Sequence, residues 1–240
     1  MTHSPVDLVH VTLLGGFESA HLGTGIALPL GAQRLVAFLA LQDGGLHRSA
    51  VAERLWPDSS PRRAPANLRS ALWRGRQMAG VPVIECVGPR LRLSPMVRVD
   101  LQDMLARARQ VLAGPGDAGA DCGELVQALR RELLPAWTDD WLMLERERWD
   151  QTRLHALEVL AQRLQSAGRH LAALEAAFAA VAIEPIRETA HRIVVEVHLA
   201  EGNVGSALKH YQRYRSLLAR ELGVAPSPRM TELASGLLSS

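Results

Sequence analysis

The chain has 240 residues, 27 basic groups against 25 acids, a net charge of +2 and 48% hydrophobic content. That composition belongs to a folded globular chain with room for two small domains, and it excludes disorder as the dominant state. No apolar run approaches the roughly 20 residues that span a bilayer, and Met1–Asp7 lacks the basic-then-apolar order of a signal peptide. Cys86 and Cys122 are too few for a disulfide framework or, alone, for a zinc site. The expectation is a cytoplasmic chain with two reduced thiols and no membrane partner.

The small net charge conceals an asymmetry. Residues 1–100 carry 11 arginines against seven acids, whereas the rest carries 16 basic groups against 18 acids. Arg48 to Gln77 alone holds seven arginines against Glu53 and Asp58. Such a block points to a polyanionic partner; the competing reading is a solvated helix face.

In chain order, Val6–Leu14 alternates around Val9, Val11 and Leu13 and predicts a half-buried strand. Two further short strands are expected at Phe17–Leu22 and Ile26–Leu30, with a turn at Gly23-Thr24-Gly25. Leu35, Phe38, Leu39 and Leu41 recur at helical spacing, and Gly44-Gly45 ends that helix. Arg48–Leu55 predicts a second helix capped by Ser49, with Val51, Leu55 and Trp56 turned inward, and Pro57 stops it. Ser59-Ser60-Pro61 opens a third, longer helix, which Gly80 and Pro82 close. Val83–Leu93 reads as a hairpin folded about Gly88-Pro89, with Leu91 and Leu93 on one face and Arg90 and Arg92 on the other.

From Val99 onward the pattern is helical: Leu101–Leu112, a Gly/Pro/Ala-rich connector at Ala113–Gly119, then Glu124–Leu134 and Trp141–Ala167. Gly168, Ala173 and Leu174 recur 34 residues later as Gly202, Ala207 and Leu208, and Ala156 recurs as Ala190. Small residues at fixed places let paired helices approach closely, and 34 is the tetratricopeptide period. The expected fold is therefore an α+β winged-helix domain over residues 1–98, followed by an all-α tetratricopeptide-like domain over 99–240.

Nothing in the sequence supports catalysis. Lys209 has no Gly-rich approach, and neither a G-x-S-x-G elbow nor an H-E-x-x-H pair occurs. His191 and His198 share a helix face without a further ligand, and Asp139-Asp140 precedes a helix as a cap would. No enzyme activity, cofactor or metal is expected.

The third helix is more informative. Leu68, Ala71, Leu72, Gly75 and Ala79 define its inward face, which leaves Arg62, Arg63, Arg69, Ser70, Trp73, Arg74 and Gln77 outward. Phosphates require cationic donors, and base edges require Arg, Asn, Gln or Ser on a protruding helix. The candidate DNA-contacting set is Arg62, Arg63, Asn67, Arg69, Ser70, Trp73, Arg74 and Gln77, with Arg90 and Arg92 on the hairpin. Three helices followed by a basic hairpin is the winged-helix order, whose recognition helix enters the major groove of double-stranded DNA.

Specific motifs extend this. Leu35-Val36-Ala37-Phe38-Leu39-Ala40-Leu41, Val51-Ala52-Glu53-Arg54-Leu55-Trp56-Pro57 and Ala66-Asn67-Leu68-Arg69-Ser70-Ala71-Leu72-Trp73-Arg74 resemble the OmpR-like winged helix of the Streptomyces antibiotic regulatory proteins. Asp140-Trp141, Glu145-Arg146-Glu147, His155-Ala156-Leu157-Glu158 with Leu160-Ala161, Glu201-Gly202-Asn203 and Glu221-Leu222-Gly223-Val224-Ala225-Pro226-Ser227-Pro228 are similar to that family's bacterial transcriptional activator domain. The resemblance implies a cytoplasmic, nucleoid-associated activator. In the family, two protomers bind direct repeats in promoter DNA as a homodimer and engage RNA polymerase through sigma factor and core subunits. Typical targets are secondary-metabolite gene clusters.

The chain departs from the family pattern at three places. Ser70 stands where a second basic residue is common, and Gly75 where Leu is common. Arg90-Leu91-Arg92-Leu93 replaces a wing that often ends Gly-Tyr-Arg-Leu. Two further readings stand beside DNA binding. One is an adaptor whose helical repeats grip a partner protein while the winged helix binds no DNA. The other is a ligand-gated regulator with a pocket lined by Trp137, Trp141 and Trp149.

Overall fold

The computed structural model describes residues 8–114 and 122–235. Val6 and Asp7 of the first expected strand, and most of the expected connector Ala113–Gly119, lie outside the described residues. The chain forms two compact units, Met1–Met104 with Glu132–Arg148, and Leu105–Arg131 with Trp149–Ser240. This division differs from the one expected between residues 98 and 99, because a segment beyond residue 131 folds back into the first unit.

The first unit is a winged helix with an N-terminal sheet. Strand β1 (Val9–Thr12) pairs antiparallel with β2 (Glu18–His21), and β2 with β3 (Thr24–Gly25). Leu22 and Gly23 make the turn, with φ of +50° and +77°. Paired left-handed residues match the twist of a two-residue hairpin. The strand therefore lies at Thr24–Gly25, where a turn was expected, and the strand expected at Ile26–Leu30 does not form. Pro29 instead starts helix α1 (Leu30–Ala40), its carbonyl accepting from the N–H groups of Ala32 and Gln33 at 2.8 and 3.0 Å.

A fourth strand, β9 (Val97–Val99), runs parallel to β1 with Val9 opposite Val97 and Val11 opposite Val99. Three residues are too few for alternation to announce a strand. The next residue secures the join: the Asp100 carboxylate accepts from Leu13 N–H at 2.8 Å and Leu14 N–H at 3.2 Å. Segment 132–148 closes the same edge, with Leu133 bridged to Leu14 and Leu134 N–H donating to Leu13 O at 2.9 Å.

Strand β4 (Leu46–His47) leads into α2 (Arg48–Leu55), which spans the expected residues. Its cap lies two residues ahead of the expected Ser49: His47 Nδ1 accepts from Ser49 N–H. Val51 and Leu55 are buried, while Trp56 is half-buried. Helix α3 (Arg63–Gly75) packs on both α1 and α2. After it come a small hairpin, β5 (Gln77–Met78) and β6 (Val81–Pro82), and the wing, β7 (Ile84–Val87) and β8 (Arg90–Leu93). β4 joins the wing as its third strand.

The second unit is all-helical. Helix α4 (Asp100–Ala113) carries the chain into it, followed by α5 (Cys122–Leu129). α5 stops five residues short of the expected Leu134, because the following residues leave to pair with β1. Within the first unit's returning segment Trp141 sits in a 3₁₀ turn, Asp140–Leu142, and α6 (Met143–Ser166) begins after it and runs on into the second unit. Then come α7 (His170–Ile183), α8 (Glu188–Ala200), α9 (Val204–Glu221) and α10 (Pro228–Ser235).

The 34-residue repeat is realised here. Gly168 and Gly202 both turn the chain after a helix at φ of +70° and +74°. Ala156, Ala190, Ala173 and Ala207 are all fully buried. α7 packs on α8 and α8 on α9, where the missing side-chain bulk allows close approach. Two α6 arginines finish neighbouring helices: Arg153 donates to Arg130 O at 3.0 Å and Arg163 to Val111 O at 2.7 Å, placing charge at helix C-termini.

Candidate nucleic-acid interface

Helix α3 starts without a side-chain cap. Ser60 O accepts from Arg63 and Ala64 N–H at 2.8 and 3.1 Å, Arg62 occupies the cap position, and no acid sits in the first turn. An uncompensated N-terminus keeps its partial positive charge and adds to that of Arg62 and Arg63. Ala64, Leu68, Ala71, Leu72 and Gly75 are buried, as the periodicity required. An added Cβ on Gly75 would stand 3.2 Å from Ala32 Cβ, so the glycine lets α3 approach α1 closely.

The opposite face is open. Arg62, Arg63, Arg69, Ser70 and Arg74 are exposed, and Trp73 is 84% exposed. A large aromatic in water with arginines around it is an unusual surface, because indole area is normally withdrawn from solvent. The Arg74 guanidinium lies 5.9 Å from the Trp73 ring centroid. Asn67 is half-buried and donates to Ser59 Oγ at 3.3 Å, so it props the loop before α3 as well as facing the surface.

The expected helix to Gly80 is corrected. α3 ends at Gly75, and Arg76 O accepts from Val83 N–H at 2.8 Å. Gln77 is therefore exposed on β5, and Ala79, expected inward, is exposed at φ +51° in the β5–β6 turn. Gly75 is the last residue of α3, where a glycine escapes most of the penalty it carries inside a helix.

The wing is as expected. Leu91 is buried, and Arg90 and Arg92 are exposed on the other face. Both are held: Arg90 Nη1 donates to Gly45 O at 3.0 Å, and Arg92 pairs with Glu85 across the hairpin at 2.6 Å.

A depression of about 480 Å³ lies beside α3, lined by Arg48, Arg69, Leu72, Trp73, Arg76, Gln77 and Cys86. It adds Arg48 and Arg76 to the expected set. Helical spacing already sets Arg76 beside Arg69, seven residues back, so that addition was legible in the sequence; Arg48 belongs to a different helix, and only the fold brings it here. Among the described residues, no acid pairs with Arg48, Arg62, Arg63, Arg69, Arg74 or Arg76. The surface therefore presents six arginines, one exposed indole and amide and hydroxyl donors without a neutralising carboxylate. That chemistry suits a polyanion with readable edges. Among the described residues no helix is long and apolar enough to cross a membrane, and no group of His, Cys, Asp or Glu could hold a metal.

Comparisons with known proteins agree with this architecture. The family described as bacterial transcriptional activator domain matches residues 123–238. Regulatory protein AfsR of Streptomyces coelicolor is 31% identical over 86% of this chain and 22% of its own length. Regulatory protein DnrI of Streptomyces peucetius is 25% identical over 96% of this chain and 92% of its own length. AfsR of Streptomyces griseus is 28% identical, and this chain again spans about a fifth of it (22%). Among solved structures, Mycobacterium tuberculosis EmbR in complex with a low-affinity phosphopeptide shares the fold with a TM-score of 0.77 at 21% identity, over 96% of this chain and 65% of EmbR. The chain thus carries a winged helix followed by a region that matches the bacterial transcriptional activator domain, and it is similar to Streptomyces regulatory proteins along nearly its whole length.

Proposed function

We propose that the chain is a sequence-specific, promoter-binding activator of transcription, with α3 in the major groove and the wing against the adjacent backbone or minor groove. Arg62 and Arg63 at the helix start contact phosphate. Arg69, Ser70, Trp73 and Arg74 face base edges, and Asn67 fixes the entry loop. Gln77, Arg90 and Arg92 contact the flanking backbone, joined by Arg48 and Arg76. The observation that carries this reading is the exposed, acid-free face of α3.

By function the division runs between residues 1–98 for DNA binding and 99–240 for activation, although segment 132–148 of the latter packs in the first compact unit. As the family resemblance implies, two protomers occupy direct repeats and the helical repeats engage RNA polymerase at secondary-metabolite promoters. The work is done on the nucleoid, in the cytoplasm, without catalysis.

The test is DNA affinity against salt for Arg69→Ala, Arg74→Ala and the matched control Arg98→Ala. Arg98 is exposed and paired with Asp103 at 2.6 Å, away from α3. A lost base contact weakens specific binding by about 1–3 kcal/mol. A lost phosphate contact reduces the salt slope by about 0.9. Arg98→Ala leaves both unchanged. Wild-type affinity in Arg69→Ala and Arg74→Ala would remove α3 from the interface.

A further inference from the structure

The first unit contains a second site, beside the loop that leads into α3 and built from other residues than the DNA-facing set. A pocket of about 490 Å³ lies where Leu55–Ser59, after α2, faces Ala136–Trp141, and every residue lining it belongs to this unit. That volume lies in the range of small-molecule sites. Three of the five tryptophans in the chain line it: Trp56, Trp137 and Trp141. Each is half-buried, so each keeps ring surface available.

The aromatic walls are set from behind. Phe17 stacks on Trp137 with centroids 6.0 Å apart and planes at 19°, and Phe38 meets Trp141 at 5.1 Å and 81°. Trp137 and Trp141 themselves stand 6.4 Å apart at 83°, which makes a corner of two indoles instead of a flat stack. Orthogonal indoles backed by phenyl rings form a rigid box rather than a collapsible cleft.

The charges select the guest. Arg34 is bound to Asp139, and the Trp141 indole N–H donates to the same carboxylate at 3.1 Å. The positive charge of Arg34 is thereby neutralised. What remains is Asp58 and Asp140 against Arg54, a net single negative charge, with all three side chains exposed at the rim. Indole faces attract cations through the ring quadrupole, tryptophan most strongly. An anion meets an acidic rim and no free cation but Arg54.

We propose that this pocket binds an organic cation, an alkylated ammonium or a guanidinium, with the charge held by the indoles of Trp56, Trp137 and Trp141 and by the carboxylates of Asp58 and Asp140. Its source is a free small molecule or the side chain of a peptide. None of the residues assigned to DNA contact lines it, so failure to bind a cation would leave the promoter-binding reading untouched.

The experiment is calorimetric titration of the whole chain with choline and with 3,3-dimethylbutanol, its neutral isostere. A peptide bearing trimethyl-lysine and its unmethylated alanine counterpart form the second arm. Choline binding that exceeds the isostere supports a free ligand, and binding confined to the methylated peptide supports a side-chain source. Because the rim residues are exposed, three conservative variants leave folding intact. Asp58→Asn and Asp140→Asn each weaken cation binding about two- to fivefold, and Arg54→Gln strengthens it by a similar factor. Equal binding of charged and neutral probes, the opposite sign in Arg54→Gln, or no binding by any cationic probe at millimolar concentration would overturn the proposal.

Discussion

Replacing Arg146 with Ala perturbs the joint that returns segment 132–148 to the first unit. The Arg146 guanidinium donates to Leu133 O at 2.9 Å, to Leu134 O, and to Trp137 O at 2.7 Å. These carbonyls bracket Leu134, which holds φ of +45° without being glycine. A left-handed leucine costs roughly 1–2 kcal/mol and persists only where its surroundings enforce it. Each hydrogen bond from a charged donor contributes about 1.5–3 kcal/mol, but carbonyls released toward water recover much of it. The net expectation is a loss of about 2–4 kcal/mol. Arg146→Lys restores only a minor part, because one ammonium cannot span three carbonyls as a planar fork does. Urea unfolding followed by tryptophan fluorescence should show a midpoint lowered by about 1–2 M. Amide exchange should show the Leu134 and Trp137 N–H groups losing protection first, since they donate to Leu13 O and Leu134 O at 2.9 and 3.0 Å. An unchanged midpoint with full protection at both amides would refute the reasoning.

Three other outcomes follow from the same structure. Asp100→Asn keeps shape but turns an N–H₂ group toward Leu13 or Leu14 N–H, so it should lower stability by about 1–3 kcal/mol in urea unfolding. Gly75→Leu forces side-chain volume toward Ala32, where the first added carbon already stands 3.2 Å from Ala32 Cβ, and should cost about 1–3 kcal/mol by the same assay. Acid should loosen the second unit. His191 Nε2 lies 2.8 Å from Pro185 O and so carries the proton, leaving Nδ1 to accept from His210 Nε2 at 3.0 Å. Burial holds His191 below its ordinary value; burial and then the neighbouring charges of His191, His198 and Arg213 push His210 down to about 4. The unfolded chain then binds protons more readily than the folded one. Stability is therefore full above pH 6.5 and falls as pH drops from there toward 4, by roughly 1–2 kcal/mol at a site partly open to solvent. Melting temperature against pH should show this slope, and His210→Gln should flatten it.

Periodic features could be read from the sequence, and features closed by single side chains could not. The inward face of α3 follows from spacing alone: Leu68, Ala71, Leu72 and Gly75 are buried, and Arg69, Ser70, Trp73 and Arg74 are exposed. The alanines of the 34-residue repeat are legible for the same reason. Gln77 and Ala79 were misplaced because the stop after Gly75 is not local: Arg76 O is taken by Val83 N–H, seven residues on. β9 has three residues and forms because β1 offers an open edge. The return of 132–148 rests on Arg146 and on the Leu133–Leu14 bridge, contacts between side chain and backbone, or backbone and backbone, that leave no period. The same return separates the tryptophans. Trp137 and Trp141 line the pocket of the first unit with Trp56, whereas Trp149 is buried in the second unit and donates to Arg131 O at 2.9 Å.

The central claim is promoter recognition through the face of α3. Footprinting of the purified chain on the DNA upstream of its own gene and the neighbouring operons tests it most directly. The account predicts protection of two direct repeats, with affinity falling by a logarithmic salt slope of about 0.9 for every phosphate contacted. Absence of protected sites, with retention on nonspecific DNA no better than that of a neutral protein, would contradict it.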